Sequence, residues 1–559
     1  MIDTSRTNRI LSIVLAALTG LLAIGGLLVA TQGRQETTTR FAATATRPAL
    51  ALVSTTTSPG PYQRASVPSF PAGFNPLLTD VGPSATSRPR SVIAATSRSI
   101  SVRNAEQLQA AIASATPGVL ISIEDGRYEG TFEATVIATA KNPIVIRQRN
   151  RNGAVFVGQT KFALNGEYWV IDGLRFEGTG ASVVTISGLG NRLTNSTFVE
   201  CGDGTSGGSS GLILLDNPAP DGVNDPDGLQ RPLIQRSALV DGNSFVRPKN
   251  TVIWQNHGLL GNAYVGNTIV GPHGIAEGGE SEAIKIGFGF AAEQTNTLIA
   301  FNEITRWVGW PYMIGIKSSG VTVLGNVLDG GRLEIRYGDR ARIERNIILN
   351  GDLMISGPGH LVSGNVVVST SARDRLGPLV LVGSSSQQND SGNYDGVTKP
   401  KYYRAVTNSE IVGNTFVSLD PQDAGSVFLL GVGESVWTDP PSSNRFTRNL
   451  FLRTSGPTMF LGAAGSPPPP DSVLEQRNSW TSNVFMCAQV CSRSQVAVPG
   501  VIGTGGNTAA DLRTLKQVTA GAKRSDAKAP PTTKPTARPT TKHATSLTTP
   551  KAPPSTRST

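Results

Sequence analysis

The sequence predicts an all-β fold: a right-handed parallel β-helix with an N-terminal capping helix, preceded by a single transmembrane or signal helix. Three observations lead there. Glu282-Ala-Ile-Lys-Ile-Gly287, Tyr312-Met-Ile-Gly-Ile-Lys317, Arg332-Leu-Glu-Ile-Arg-Tyr337 and Asp352-Leu-Met-Ile-Ser356 align on Ile/Leu-x-Ile cores, and the last three cores are 19 and 20 residues apart. Each segment reads as a strand with alternating faces, and a period of about twenty residues is that of stacked coils. Asn also recurs ahead of β-forming residues, at Asn195, Asn243, Asn267, Asn302, Asn326, Asn346, Asn365, Asn414, Asn449 and Asn483. It suits tight corners because it tolerates left-handed backbone angles and bonds locally, and stacked Asn can bond along a ladder. Finally, 62 Gly and 16% charged residues in 559 fit a repeat protein of strands and corners. The handedness follows from the rule for parallel crossovers.

In chain order, Ile10 to Ala30 is an apolar run flanked by Arg6 and Arg9. Its length of about 20 residues matches a membrane span, so residues 1–31 are expected to be an uncleaved signal anchor, with a cleaved signal peptide as the alternative. Either way the remainder is exported. Residues 32–98 are rich in Thr, Ser and Pro without hydrophobic period and read as a disordered stalk. Residues 99–515 form the β-helix. It opens with Asn104 as N-cap and with Leu108, Ala111 and Ile112 on one helical face. A helix there closes the open end of the solenoid core. Pro117 to Tyr128 then gives a turn, an alternating strand and another turn. Insertions near 202–232, 288–297, 371–408, 418–445 and 463–477 read as loops walling one flank. Asp216, Asp221, Asp225 and Asp227 suit plain turns better than a calcium site. Residues 516–559 form a second low-complexity segment, with eight Lys/Arg from Lys523 onward against the single Asp526.

The net charge of +10 is therefore partly local to the tail. No helix-turn-helix, zinc spacing or aromatic-basic pattern accompanies it, so no nucleic-acid partner is expected. Of the three cysteines, Cys201 reads as a small buried hydrophobe, while Cys487 and Cys491 read either as a local disulfide or as two small residues of a late coil. His257, His273, His360 and His543 are scattered and receive no role, His360 being the best outsider.

In stacked coils, residues of one column lie about 4.8 Å apart. One outward column then reads Gly287, Lys317, Arg336, Ser356, which puts two cations where one sugar unit touches both. Lys285 and Glu334 fall in the adjacent outward column with Gly315 and Met354. Gly315 is expected to leave room for a sugar ring beside Lys317. Tyr337, Tyr312, Trp310 and Trp307 are candidate sugar contacts, core packing being the alternative for the last three.

These residues carry a resemblance to polysaccharide lyase family 6, the chondroitinase B and alginate lyase family, which has a pectin-lyase-like solenoid. Asn104 to Tyr128 is similar to its cap helix, Pro-Gly turn and Asp-Gly-x-Tyr strand. Glu282 to Gly287 resembles its Glu-x-Ile-Arg-Ile-Gly segment with Lys285 for Arg, Lys317-Ser318 its Lys-Ser, and Arg336-Tyr337-Gly338 its Arg-His-Gly. The resemblance implies β-elimination of a uronic-acid polymer, with Lys317 as base at C5 and Arg336 stabilising or protonating the departing glycosidic oxygen. The chemistry is coherent: abstraction builds an enolate dianion that the site must neutralise, a Lys beside an Arg has its ammonium form disfavoured, and paired cations attract an acidic polymer.

The sequence also departs from the family. Two Glu shortly before the Lys hold calcium there; seven and five before Lys317 stand Trp310 and Tyr312, which are not hard-cation ligands. No metal or organic cofactor is therefore expected, and Lys285, Arg306 or Arg332 is expected to replace the metal's charge. Two rival readings remain. One is a non-catalytic glycan-binding β-helix of the cell surface; the other is a glycoside hydrolase, which needs converging carboxylates such as Glu334 and Asp352. The sequence leaves the polymer and the oligomeric state open.

Overall fold

The computed structural model describes residues 98–204, 211–217, 231–271, 282–287, 293–307, 312–369, 380–383, 404–418, 428–430, 441–453, 460–461, 478–487 and 502–503. The N-terminal apolar run, the stalk, the basic tail, Cys491, His273, His543, Trp310 and most of the long insertions lie outside them. Among the described residues no helix is long and apolar enough to cross a membrane.

The chain winds as a right-handed parallel β-helix. Its strands stack into parallel sheets of 14, 12 and 14 strands and one of two strands among the described residues, successive coils adding to the three large sheets in turn. The helix Ala105–Ala113 covers the first coils. Asn104 caps it, its side chain accepting from the Gln107 N–H at 2.9 Å, and Leu108, Ala111 and Ile112 turn inward. Inward residues alternate along each strand and stack in files, such as Phe176, Phe198 and Phe245, whose ring centroids lie 4.6 and 4.7 Å apart. Cys201 is buried and free.

A file of asparagines runs inside one corner. Asn243, Asn267, Asn302, Asn326, Asn346, Asn365, Asn414, Asn449 and Asn483 are linked one to the next by amide–amide bonds of 2.9–3.0 Å. Each bond satisfies a polar group shut away from water. Two details differ from expectation. The left-handed residue is the one before each Asn, for example Gly266, Phe301 and Gly325, rather than the Asn itself. Asn195 is itself such a left-handed residue and bonds outward to Asp172, while Ser196 takes its place in the file. A second, broken file lines another corner, where Asn191, Asn262, Ser409, Asn444 and Asn478 accept backbone N–H groups of the preceding coils. His360 belongs to this file. Its Nδ1 accepts from the Ala341 N–H at 3.1 Å, and burial pushes its pKa down to about 4, so it is a neutral corner-filler.

Candidate active site

The 12-stranded sheet carries the candidate site. Its central strands pair Ile284 with Ile314, Ile314 with Leu333 and Leu333 with Leu353; Lys285 pairs with Gly315, Gly315 with Glu334 and Glu334 with Met354. This is the register that the Ile/Leu-x-Ile alignment requires. The ladder continues one residue beyond the strands: the Gly287, Lys317, Arg336 and Ser356 N–H groups donate to Gln255, Ile286, Ile316 and Ile335 at 2.8–2.9 Å. Lys317 and Arg336 therefore stand on adjacent coils in one row. Both are partly exposed, whereas Gly287 and Ser356 on either side are buried.

The adjacent column differs from what the sequence suggests. Lys285 and Glu334 point away from the solenoid core, yet are only 5% and 3% exposed. Lys285 Nζ lies 3.7 Å from Glu282 Oε2 and 5.0 Å from the Trp254 ring centroid. The space expected over Gly315 is taken by Glu282: a Cβ built on Gly315 would lie 3.2 Å from Glu282 Oε1. Glu282 is itself buried, and its Oε2 accepts no hydrogen bond from the described residues. Glu334 Oε1 lies 3.8 Å from Arg336 Nε. Burial raises the Glu334 pKa; Arg336, Arg332 and Lys317 oppose that rise, and Glu282 adds to it.

Arg332 is committed to Asp352, its Nε and Nη2 each meeting one carboxylate oxygen, and its guanidinium lies 5.8 Å from the Tyr312 ring centroid. Burial tends to lower its pKa, but Asp352 outweighs that and the net shift is upward. Tyr312 is pushed up to about 12, first by burial and then by Glu334, and is a neutral phenol at physiological pH. Tyr337 is buried with its ring 5.5 Å from the Arg336 guanidinium. Trp307 belongs to the core, not to a sugar platform. Arg306 follows a strand of another sheet, Glu303–Thr305, outside the Lys317 row.

The calcium of the resembled family does not fit these residues. Tyr312 is a neutral phenol beneath an arginine, and among the described carboxylates of this sheet Glu282 faces Lys285, Glu334 faces Arg336 and Asp352 faces Arg332. A hard dication requires several oxygen ligands without cations interleaved among them.

Sequence reasoning gave Glu282, His257 and Glu293 no role. His257 Nδ1 lies 3.1 Å from Glu293 Oε1, which also accepts from the Gly258 N–H at 3.0 Å and from Ser318 Oγ at 3.1 Å. Burial tends to raise the Glu293 pKa, but His257 and the Gly258 N–H outweigh that and the net shift is downward. The Lys-Ser pair was the available signal; His257 and Glu293 come from other coils, at distances in sequence that no motif spans.

Comparison with known proteins bears out the family resemblance over the first coils. A family model described as Chondroitinase B matches residues 102–191, which end well before Lys317. No curated protein matches the chain. Among solved structures, it is similar to a mannuronic acid specific polysaccharide family 6 lyase from human gut microbiota (18% identity, 76% of this chain and 99% of the other, TM-score 0.57). It is also similar to the PL6 family polysaccharide lyase Pedsa3628 from Pseudopedobacter saltans (17%, 74% and 98%, TM-score 0.54). The PL6 family alginate lyase AlyGC is a third (16%, TM-score 0.57); 73% of this chain aligns with about half of that one, 53%. At these identities the likeness is one of fold: the solenoid resembles those of the polysaccharide lyase family 6 structures.

Proposed function

We propose that the chain is an exported polysaccharide lyase that cleaves a uronic-acid polymer, alginate-like or chondroitin/dermatan-like, by β-elimination and without calcium. The observation that carries this reading is the row in which Lys317 and Arg336 are adjacent and partly exposed between buried neighbours. Lys317 Nζ takes the C5 proton, the C–H electrons form the C4–C5 double bond, and the C4–O bond breaks. The departing oxygen takes a proton as Arg336 stabilises or donates to it. Lys285, Lys317, Arg332 and Arg336 face three carboxylates, those of Glu282, Glu334 and Asp352. Four cations beside three acids favour a uronate at this place. All three carboxylates are buried, which does not suit the groove-facing pair of a hydrolase. The apolar run 10–30 would hold the protein on the extracellular side of the membrane, or release it if cleaved.

The second reading is a glycan-binding solenoid that does not cut. It is favoured by the acids beside Lys285 and Arg336, at 3.7 and 3.8 Å. The full-length chain is incubated with a panel of uronic-acid polymers, with and without EDTA, and the ultraviolet absorbance of the 4,5-unsaturated product is followed. A rise that survives EDTA and vanishes in Lys317→Ala supports the lyase; a rise abolished by EDTA overturns its calcium independence. A flat trace with polymer retained supports the binding module.

A further inference from the structure

Just after Lys317 the chain meets a half-buried carboxylate, that of Glu293, which stands outside the neutral corner file of Asn262, His360 and Ser409. Glu293 accepts from Gly258 and His257 of one coil and from Ser318 of another. Its backbone is tied to the same place: the Ser319 N–H donates to Glu293 C=O at 2.8 Å, and the Thr295 N–H donates to Ser319 C=O at 3.0 Å. On its other side Lys317 is held by its own N–H bond to Ile286. Gly287 makes the arrangement possible. It has a φ of +74°, and a Cβ there would lie 2.8 Å from Ser318 Oγ and 3.1 Å from His257 Cε1.

We propose that Glu293, gripped by His257, Gly258 and Ser318, is a positioning residue that fixes Lys317 beside Arg336 for proton abstraction. The inference rests on the lyase reading above and deepens it. Hydrogen bonds to an ionised carboxylate are stronger than neutral ones, and three donors from two coils converge on this one. Proton transfer is sensitive to placement, since an error of about 1 Å costs on the order of 100-fold.

The test uses the full-length chain with Ser318→Ala and Glu293→Gln, near-isosteric changes that remove the hydroxyl or the charge. The expected result is a kcat lowered about tenfold or more in each, with KM unchanged, the signature of an interaction needed only in the transition state. Thermal midpoints are recorded alongside. A lowered midpoint with unchanged kcat would reduce the cluster to a structural corner and overturn the proposal. Hydrogen exchange at residues 317–320 is measured in the same variants and needs no turnover. Faster exchange there supports the anchor even if wild-type protein makes no unsaturated product, an outcome that would sink the lyase reading alone. Unchanged exchange in both variants overturns the anchor whatever the activity.

Discussion

Glu334 stands 3.8 Å from Arg336 Nε and is much the more buried of the two, its side chain 4% exposed against 22% for the arginine. The acid thus lies beneath the cation rather than beside it in the exposed row. Burial dominates and raises the Glu334 pKa. The native state therefore holds the Glu334 proton more tightly than the unfolded chain does, so the stability this group contributes is complete below its unfolded pKa and is lost as pH rises through the folded value. Glu334→Gln mimics the protonated form. It is expected to raise the urea midpoint at neutral pH, with the gain fading as pH falls toward about 4. Its kcat is expected to fall about tenfold, because Arg336 loses the partner behind its Nε. A lower midpoint at neutral pH would show that attraction to Arg336 outweighs the cost of burial.

The Arg332–Asp352 pair should behave as a unit. Both side chains are buried, at 8% and 2% exposure. Removing one partner of such a pair strands a charge and costs about 3–5 kcal/mol, whereas replacing both is far milder. Arg332→Met is expected to lose that much in denaturant unfolding, and Arg332→Met with Asp352→Asn to recover most of it. Equal loss in the single and double variants would mean that packing against Tyr312 and Met354 matters more than the charge.

The groove sheet was legible because one alternation rule governs it: Ile284, Ile314, Leu333 and Leu353 must all face inward, which leaves one register, and in it Lys317 falls beside Arg336. The cap was legible because Asn104 and its helix are local. What surrounds the row was not. Glu282 precedes its strand and folds sideways over Gly315, a direction that period-two alternation does not encode. Glu293 meets His257 and Ser318 across 36 and 25 residues of sequence, spans that no local motif covers. Asn195 misled because two consecutive residues, Asn195 and Ser196, can each supply a corner oxygen, and backbone handedness decides between them.

The asparagine file predicts a cost at each of its links. Asn326 Oδ1 accepts from both the N–H and the side-chain amide of Asn302, while its own amide donates to Ile299 C=O and Asn346 Oδ1. Asn326→Ala strands two buried donors of Asn302. Each unsatisfied group costs about 1–3 kcal/mol, so unfolding in urea should show a loss of several kcal/mol. A solenoid spreads stability along neighbouring coils, so hydrogen exchange should rise most at residues 299–302 and 343–346. Uniform exchange along the helix would refute a local link.

Gly315→Ala tests the filled space directly. The new methyl would meet Glu282 Oε1 at 3.2 Å and Cγ at 3.4 Å, so the carboxylate must move by a few tenths of an ångström. Among the described residues no hydrogen bond holds Glu282 Oε2 in place, and Lys285 at 3.7 Å is its ionic neighbour. The expected outcome is therefore a small stability change, within about 1 kcal/mol, together with a shift in KM for the acidic polymer, because displacing Glu282 alters the charge beside Lys285. If sugar occupied the space over Gly315 instead, the methyl would block it and binding would be abolished. Affinity chromatography on immobilised polymer separates a shifted elution from none.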